Sequence, residues 1–253
     1  MHRVTPEIES LSKEILTYTM DRLKMDPPTL DHPLSQTALE EAAGQTITES
    51  GLGGESALRL FIDKLAPACI SEDHPRYLAF VPTAPTDVST LFDLIVGASN
   101  ICASSWLEGA GAIYAENQAL RWISDIAGFP PEAGGVFVSG GTAGNLSALV
   151  AARHDWRQKR PDHAAQRGLI ISSRGAHASV QQAAHVMDAD LIQSGGHRLT
   201  GADVAATIAT LSETDRSRLF AVACTAGTTN LGIIDDLEGI GAICKQNAVW
   251  YHV

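Results

Sequence analysis

Apolar and polar residues alternate in two textures along this chain. In the first part the apolar positions fall at helical spacing: Ile8, Leu11, Ile15, Leu16 and Leu23 share one face until Pro27-Pro28 ends the pattern. A polar connector runs from about Asp31 to Gly54, punctuated by Pro33, Gly44, Gly51, Gly53 and Gly54. Helical spacing returns over 55–66, through Leu58, Phe61, Ile62 and Leu65, and again over 86–99 and 112–127. Between the first two of these lies His74-Pro-Arg-Tyr-Leu-Ala-Phe-Val-Pro-Thr83, an extended, proline-bounded segment rich in aromatics.

From residue 134 the texture changes. Apolar runs of strand length appear at 135–139, 168–172, 190–193, 219–225 and 248–253, with helical patterns at 143–160, 177–188, 202–213 and 236–246 between them. This alternation predicts an α/β fold with a mainly parallel sheet, and the continuous hydrophobic runs predict strands covered on both faces. The expected organisation is an N-terminal helical segment with its connector over 1–73, followed by an α/β domain over 74–253. The sequence stops at Trp250-Tyr-His-Val253, inside an apolar strand. The expectation is therefore a truncated domain of low independent stability.

Composition narrows the classes of function. With 45% hydrophobic and 19% charged residues the chain reads as globular. A formal net charge of −11 argues against nucleic acid or an anionic membrane surface as partner. The start of the chain runs acidic at once, and no apolar run reaches membrane-spanning length, so a cytoplasmic protein is expected. Cys69, Cys102, Cys224 and Cys244 are widely spaced in apolar settings and read as buried free thiols.

The candidate chemistry sits where strands end. Phe137-Val-Ser-Gly-Gly-Thr-Ala-Gly-Asn-Leu146 is a strand, a glycine turn and a helix start, which aims backbone N–H groups at one point where a phosphate would sit. A plain tight turn is the competing reading. His177, in Ser172-Ser-Arg-Gly-Ala-His177, follows a strand and faces the crevice of a parallel sheet, where it would stack on a flat ligand or exchange a proton. A histidine that merely starts a helix fits equally. Thr225-Ala-Gly-Thr-Thr-Asn230 follows the next strand, and Thr228 and Thr229 offer hydroxyls there or simply form a Thr-rich loop. Asp235-Asp236 reads as a helix cap, and no His, Cys and carboxylate set has metal-ligand spacing. The aromatics of Tyr77–Thr83 and of Ser104-Ser-Trp106 either belong to the core or wall a pocket.

Taken together, Phe137–Arg153, His177-Ala-Ser-Val180, Gly227-Thr-Thr229 and Trp250-Tyr-His-Val253 resemble the pyridoxal-phosphate-dependent group II amino-acid decarboxylases. The resemblance begins near His74-Pro-Arg-Tyr, takes in Glu116 and the Trp122 to Gly128-Phe-Pro130 stretch, and reaches the last residue; the aromatic-L-amino-acid branch is closest in texture. It implies the large domain of the aspartate aminotransferase-like, fold type I class. It also implies pyridoxal 5'-phosphate as cofactor and a homodimer that turns an L-amino acid, with aromatic substrates favoured, into the amine and CO2. By resemblance, Gly141, Thr142 and Ala143 hold the cofactor phosphate, His177 stacks on the ring, and Thr229 lies beside cofactor and substrate carboxylate. Phe80, Val81, Pro82 and Thr83 would line the substrate pocket, with Ile101 and Ser104 offered by the partner subunit.

The departures bear on what the chain does alone. The family pattern continues His-Val-Asp, and that Asp pairs with the pyridine nitrogen; the sequence ends at Val253. None of Lys13, Lys24, Lys64, Lys159 and Lys245 stands in the His-Lys context of the cofactor-binding lysine. Leu107 replaces the family's proline after Ser-Trp, and the aromatic often found at position 104 is absent. The expectation is part of a longer enzyme, inactive alone. Another fold type I lyase, or a truncated non-catalytic partner chain, remains the alternative.

Overall fold

The computed structural model describes residues 3–80, 83–163 and 165–253. By compactness the chain divides into two units, Met1–Ile113 and Tyr114–Val253. That division falls later than the expected 73/74 boundary.

The first unit is helical. Helix α1 (Pro6–Leu23) starts with proline at its first position, and the Thr5 hydroxyl accepts the Ile8 N–H at 3.4 Å. Within the expected connector the chain forms α2 (Gln36–Ala43), capped by Ser35; its one short apolar stripe gives little periodicity to read. Helix α3 (Gly54–Leu60) runs into a π-helical turn, Phe61–Leu65, and a 3-10 turn, Ala66–Ala68. Tyr18 of α1 meets Phe61 edge-on, with ring centres 6.1 Å apart, and Arg22 pairs with Asp73 at 2.7 Å. Helix α4 (Asp87–Ser99) follows the Thr86 cap. Helix α5 (Trp106–Ile126) begins earlier than the expected 112, as two helical segments joined across a kink at Gly109 (φ −132°, ψ 34°), where a Cβ would lie 2.6 Å from the Cys102 carbonyl oxygen.

The second unit holds the sheet. After α6 (Gly141–Lys159) come β1 (Leu169–Ser173), α7 (Ala178–Val186), β2 (Asp190–Ser194), α8 (Gly201–Thr210), α9 (Glu213–Arg218), β3 (Leu219–Ala223), α10 (Leu237–Asn247) and β4 (Trp250–His252). The strands pair in parallel in the order β2-β1-β3-β4. Helices α6 and α7 cover one face through Leu149, Ala152, Trp156, Val180 and Met187, packed on Ile170, Phe220, Ala221 and Ala223. Helices α8 and α10 cover the other through Val204, Ile208, Ile240 and Cys244, packed on Leu169, Ile171, Leu219 and Val222. A bulge reconciles the two layers. Leu169 pairs with Leu219, but Ile170 pairs with Ala221, so Phe220 is the extra residue.

Two expectations change. Residues 133–138 form no strand, and Val136, Phe137 and Val138 are exposed; no ladder partner reaches them among the described residues, and a strand is a property of a pair. Cys224 and Cys244 are buried free thiols as expected, whereas Cys69 and Cys102 are exposed. Both lie outside the sheet layers that bury the other two. No helix among the described residues is long and apolar enough to cross a membrane.

Candidate functional site

The sheet order creates the site. From β1 the chain crosses to β2 on one side, then to β3 and β4 on the other, so the carboxyl ends of β1 and β3 flank a switch in direction where a crevice must open. The loop after β1 and the loop after β3 line a cleft there of roughly 360 Å³. Arg174, His177 and Ala178 come from the first loop, Thr228, Thr229 and Asn230 from the second, and His197 from the turn after β2.

Each wall has a local cause. The His177 imidazole caps α7: its Nδ1 accepts the Ser179 backbone N–H at 3.2 Å and lies 2.9 Å from the Ser179 hydroxyl, while the ring itself is exposed. The β3 loop turns at Gly227, whose φ of 142° is one that side chains rarely adopt. Its far end returns as a bridge between Ala226 and Ile234. The loop is held by Asp235, 2% exposed, whose carboxylate accepts the Leu199 N–H at 2.7 Å and the Thr225 N–H at 2.8 Å. Asp236 caps α10 and also accepts the Gly201 N–H; these backbone donors hold its carboxyl below the usual value.

Thr228 and Thr229 differ. Thr228 is buried, and its hydroxyl accepts the Ile233 N–H at 3.1 Å, so it braces the loop rather than facing a ligand as expected. The Thr229 side chain is exposed in the cleft and makes no hydrogen bond among the described residues.

Helix α6 begins beside this cleft. Its N-cap is Gly140, which brings no side-chain acceptor, so no side chain caps the first-turn N–H groups of Gly141, Thr142 and Ala143. Thr142 borders a neighbouring groove that shares Ala178 with the cleft, while Gly141 and Ala143 line neither. From the next turn, Asn145 donates through Nδ2 to the Ser179 hydroxyl at 2.7 Å and accepts at Oδ1 from His252 Nε2 at 2.8 Å. Burial pushes the His252 imidazole below its ordinary value.

The structure thus brings His177 and Thr229 into one cleft and sets Thr142 next to it. Phe80, Thr83, Ile101 and Ser104 belong to the other compact unit, where Phe80 and Ile101 are exposed and the Ser104 hydroxyl donates to Glu108 at 2.8 Å. Val81 and Pro82 lie outside the described residues. Sequence reading missed Asp235 as a brace, Asn145 and His252 as partners, and Arg174 and His197 as lining. For His197 the signal was present, since it follows the carboxyl end of β2 as His177 follows that of β1.

Residues 54–253 match the family model of the pyridoxal-dependent decarboxylase conserved domain. The aromatic-L-amino-acid decarboxylase of Bacillus atrophaeus is 29% identical over 240 residues, which cover 92% of this chain and 48% of that protein. An L-2,4-diaminobutyrate decarboxylase of Acinetobacter baumannii is 25% identical over 228 residues, 81% of this chain and 44% of that protein. The chain therefore spans about half the length of the curated relatives it matches. Oryza sativa TDC, solved with PLP and tryptamine, aligns with a TM-score of 0.86 at 18% identity, over 100% of this chain and 58% of that one. Mouse CSAD aligns with a TM-score of 0.83 at 20% identity, over 98% of this chain and 55% of that one. These likenesses show the α/β fold that the sequence pattern implied, that of the fold type I large domain. With the match running from residue 54 to the last, the chain belongs to the pyridoxal-dependent decarboxylase family, whose cofactor is pyridoxal phosphate.

Proposed function

We propose that this chain forms the cofactor-binding part of a longer enzyme that decarboxylates an L-amino acid, with aromatic substrates favoured. The observation that carries the reading is the cleft at the switch point, with His177 and Thr229 on its walls and the uncapped start of α6 beside it. The residues present fit the family's cofactor. A phosphate needs N–H donors with no competing acceptor, and Gly140 leaves those of α6 without a side-chain partner. A flat ring needs a wall it can lie against, and the exposed imidazole of His177 offers one.

When bound, pyridoxal phosphate supplies an electron sink for the charge released as CO2 leaves. The chain's own contribution is orientation. Gly141, Thr142 and Ala143 would anchor the phosphate through backbone donors, and His177 would hold the ring plane. The free hydroxyl of Thr229 would donate to a carboxylate oxygen of the substrate. A cytoplasmic homodimer is part of the same reading.

The test uses the complete protein. Incubated with pyridoxal phosphate and reduced with borohydride, it is expected to gain the mass of one cofactor. It is then expected to release CO2 fastest from an aromatic amino acid in a panel that includes 2,4-diaminobutyrate and glutamate. No adduct would overturn the cofactor reading. An adduct without CO2 from any amino acid would point to another lyase of the same fold.

A further inference from the structure

Four side chains in the second unit form a continuous hydrogen-bonded line: His252, Asn145, Ser179 and His177. They come from the end of β4, the second turn of α6, the first turn of α7 and the α7 cap. The links are 2.8, 2.7 and 2.9 Å long. The sequence motifs contained these residues without indicating that they touch.

The direction of the line follows from its chemistry. Asn145 Nδ2 can only donate, so the Ser179 hydroxyl oxygen accepts from it and turns its own hydrogen elsewhere. The Ser179 backbone N–H points at His177 Nδ1, which must therefore carry a lone pair. The Ser179 hydroxyl then donates to the same lone pair. At the other end, Asn145 Oδ1 can only accept, so His252 carries its proton on Nε2. Burial of His252 disfavours a second proton on that ring, which keeps its end of the line neutral. Ser179 is 1% exposed, so water does not compete at the centre of the line.

We infer that Asn145, Ser179 and His252 are positioning residues that lock His177 in the Nε2–H tautomer and fix its ring plane in the cleft. Nδ1 is committed to Ser179, which leaves Nε2–H as the one donor the ring has to offer. Both features are set before any ligand arrives. The value of the lock to the reaction rests on the proposed placing of His177 against the cofactor ring. The lock itself is a property of the chain.

The experiment is nitrogen-15 NMR of the histidine side chains in the complete protein, without pyridoxal phosphate and again with it. In the wild type His177 is expected to be almost wholly Nε2–H; a dominant Nδ1–H form overturns the inference. Asn145→Asp keeps the shape but replaces the donor with an acceptor, which draws the Ser179 hydroxyl away from His177. The ratio of Nδ1–H to Nε2–H is then expected to rise about tenfold, the worth of one hydrogen bond. Ser179→Ala removes the hydroxyl alone and is expected to act in the same direction, and His252→Gln, which still donates to Asn145, is expected to keep the wild-type ratio. An unchanged ratio in either folded variant, Asn145→Asp or Ser179→Ala, overturns the inference. Should the protein take up no cofactor, the proposed function fails, while the tautomer of the cofactor-free protein still decides the lock.

Discussion

Asp235 shows how one buried side chain serves two elements. Its two oxygens accept N–H groups from residues 199 and 225, one leading into α8 and one opening the β3 loop. Asp235→Asn would turn an amide N–H toward one of those donors and leave it unpaired in the interior. The expected cost is about 1–3 kcal/mol, read as a lower urea midpoint with an unchanged slope. His252 sets a pH dependence. The unfolded imidazole takes up a proton near 6.5, while the folded one, desolvated, resists it. Its contribution is therefore complete above that pH and is lost as pH falls toward the lower folded value. Stability is expected to decline as pH falls below about 6.5, and His252→Gln to flatten that decline, as followed by denaturation at each pH. Residue types at strand ends pointed to His177 and Thr229, which line one cleft. Asp235 was invisible, because an Asp-Asp pair before a helix reads as a cap, and only Asp236 is one.

Between elements, α8 and α10 approach each other backbone to backbone. A Cβ on Gly201 would lie 2.6 Å from the Gly239 carbonyl carbon, so backbone would have to move to admit it. Gly201→Ala is expected to cost about 1–3 kcal/mol or more, by the usual price of overpacking. Gly196→Ala, where a Cβ meets nothing within 4 Å, is expected to stay within about 0.5 kcal/mol. Thermal melts of the two variants compare them directly. The helices and inner strands of this unit were legible in the sequence within a few residues, because both periods are strong there. The split of the expected 202–213 helix into α8 and the separate α9 was not. Ser212 caps α9 and starts a new axis, and a cap residue inside a polar stretch does not disturb the apolar spacing.

For the whole molecule, apolar exposure is the main fact. Val88, Phe92, Ile95 and Val96 of α4 are all more than half exposed, as are Trp106, Leu107 and Trp122 of α5, and Val136 and Phe137. Such surface exceeds what a monomer ordinarily leaves in water. At about micromolar concentration the chain is expected to sediment above its 26.8 kDa mass, despite a net charge of −11. A single species at 26.8 kDa would refute this. Hydropathy pattern could not foresee the exposure, since periodicity reports that a face is apolar and not what covers it. The same limit explains the missing strand at 135–139: Val136, Phe137 and Val138 have strand composition but no described neighbour to pair with.

The bulge at Phe220 has a consequence for how β3 tolerates change over evolutionary time. All five residues of the strand are apolar and buried, so many substitutions would keep its hydropathy. The count of residues is less forgiving. Phe220 and the alanines 221 and 223 face the α6–α7 layer, while Leu219 and Val222 face α8 and α10. Loss of one residue beyond the bulge, Val222, would leave an equally greasy strand whose last residues had traded layers, with Ala223 leaving a gap beside Ile240 and Cys224 turned toward the α6–α7 layer. Family alignments should therefore show β3 varying freely in letters and scarcely ever in length.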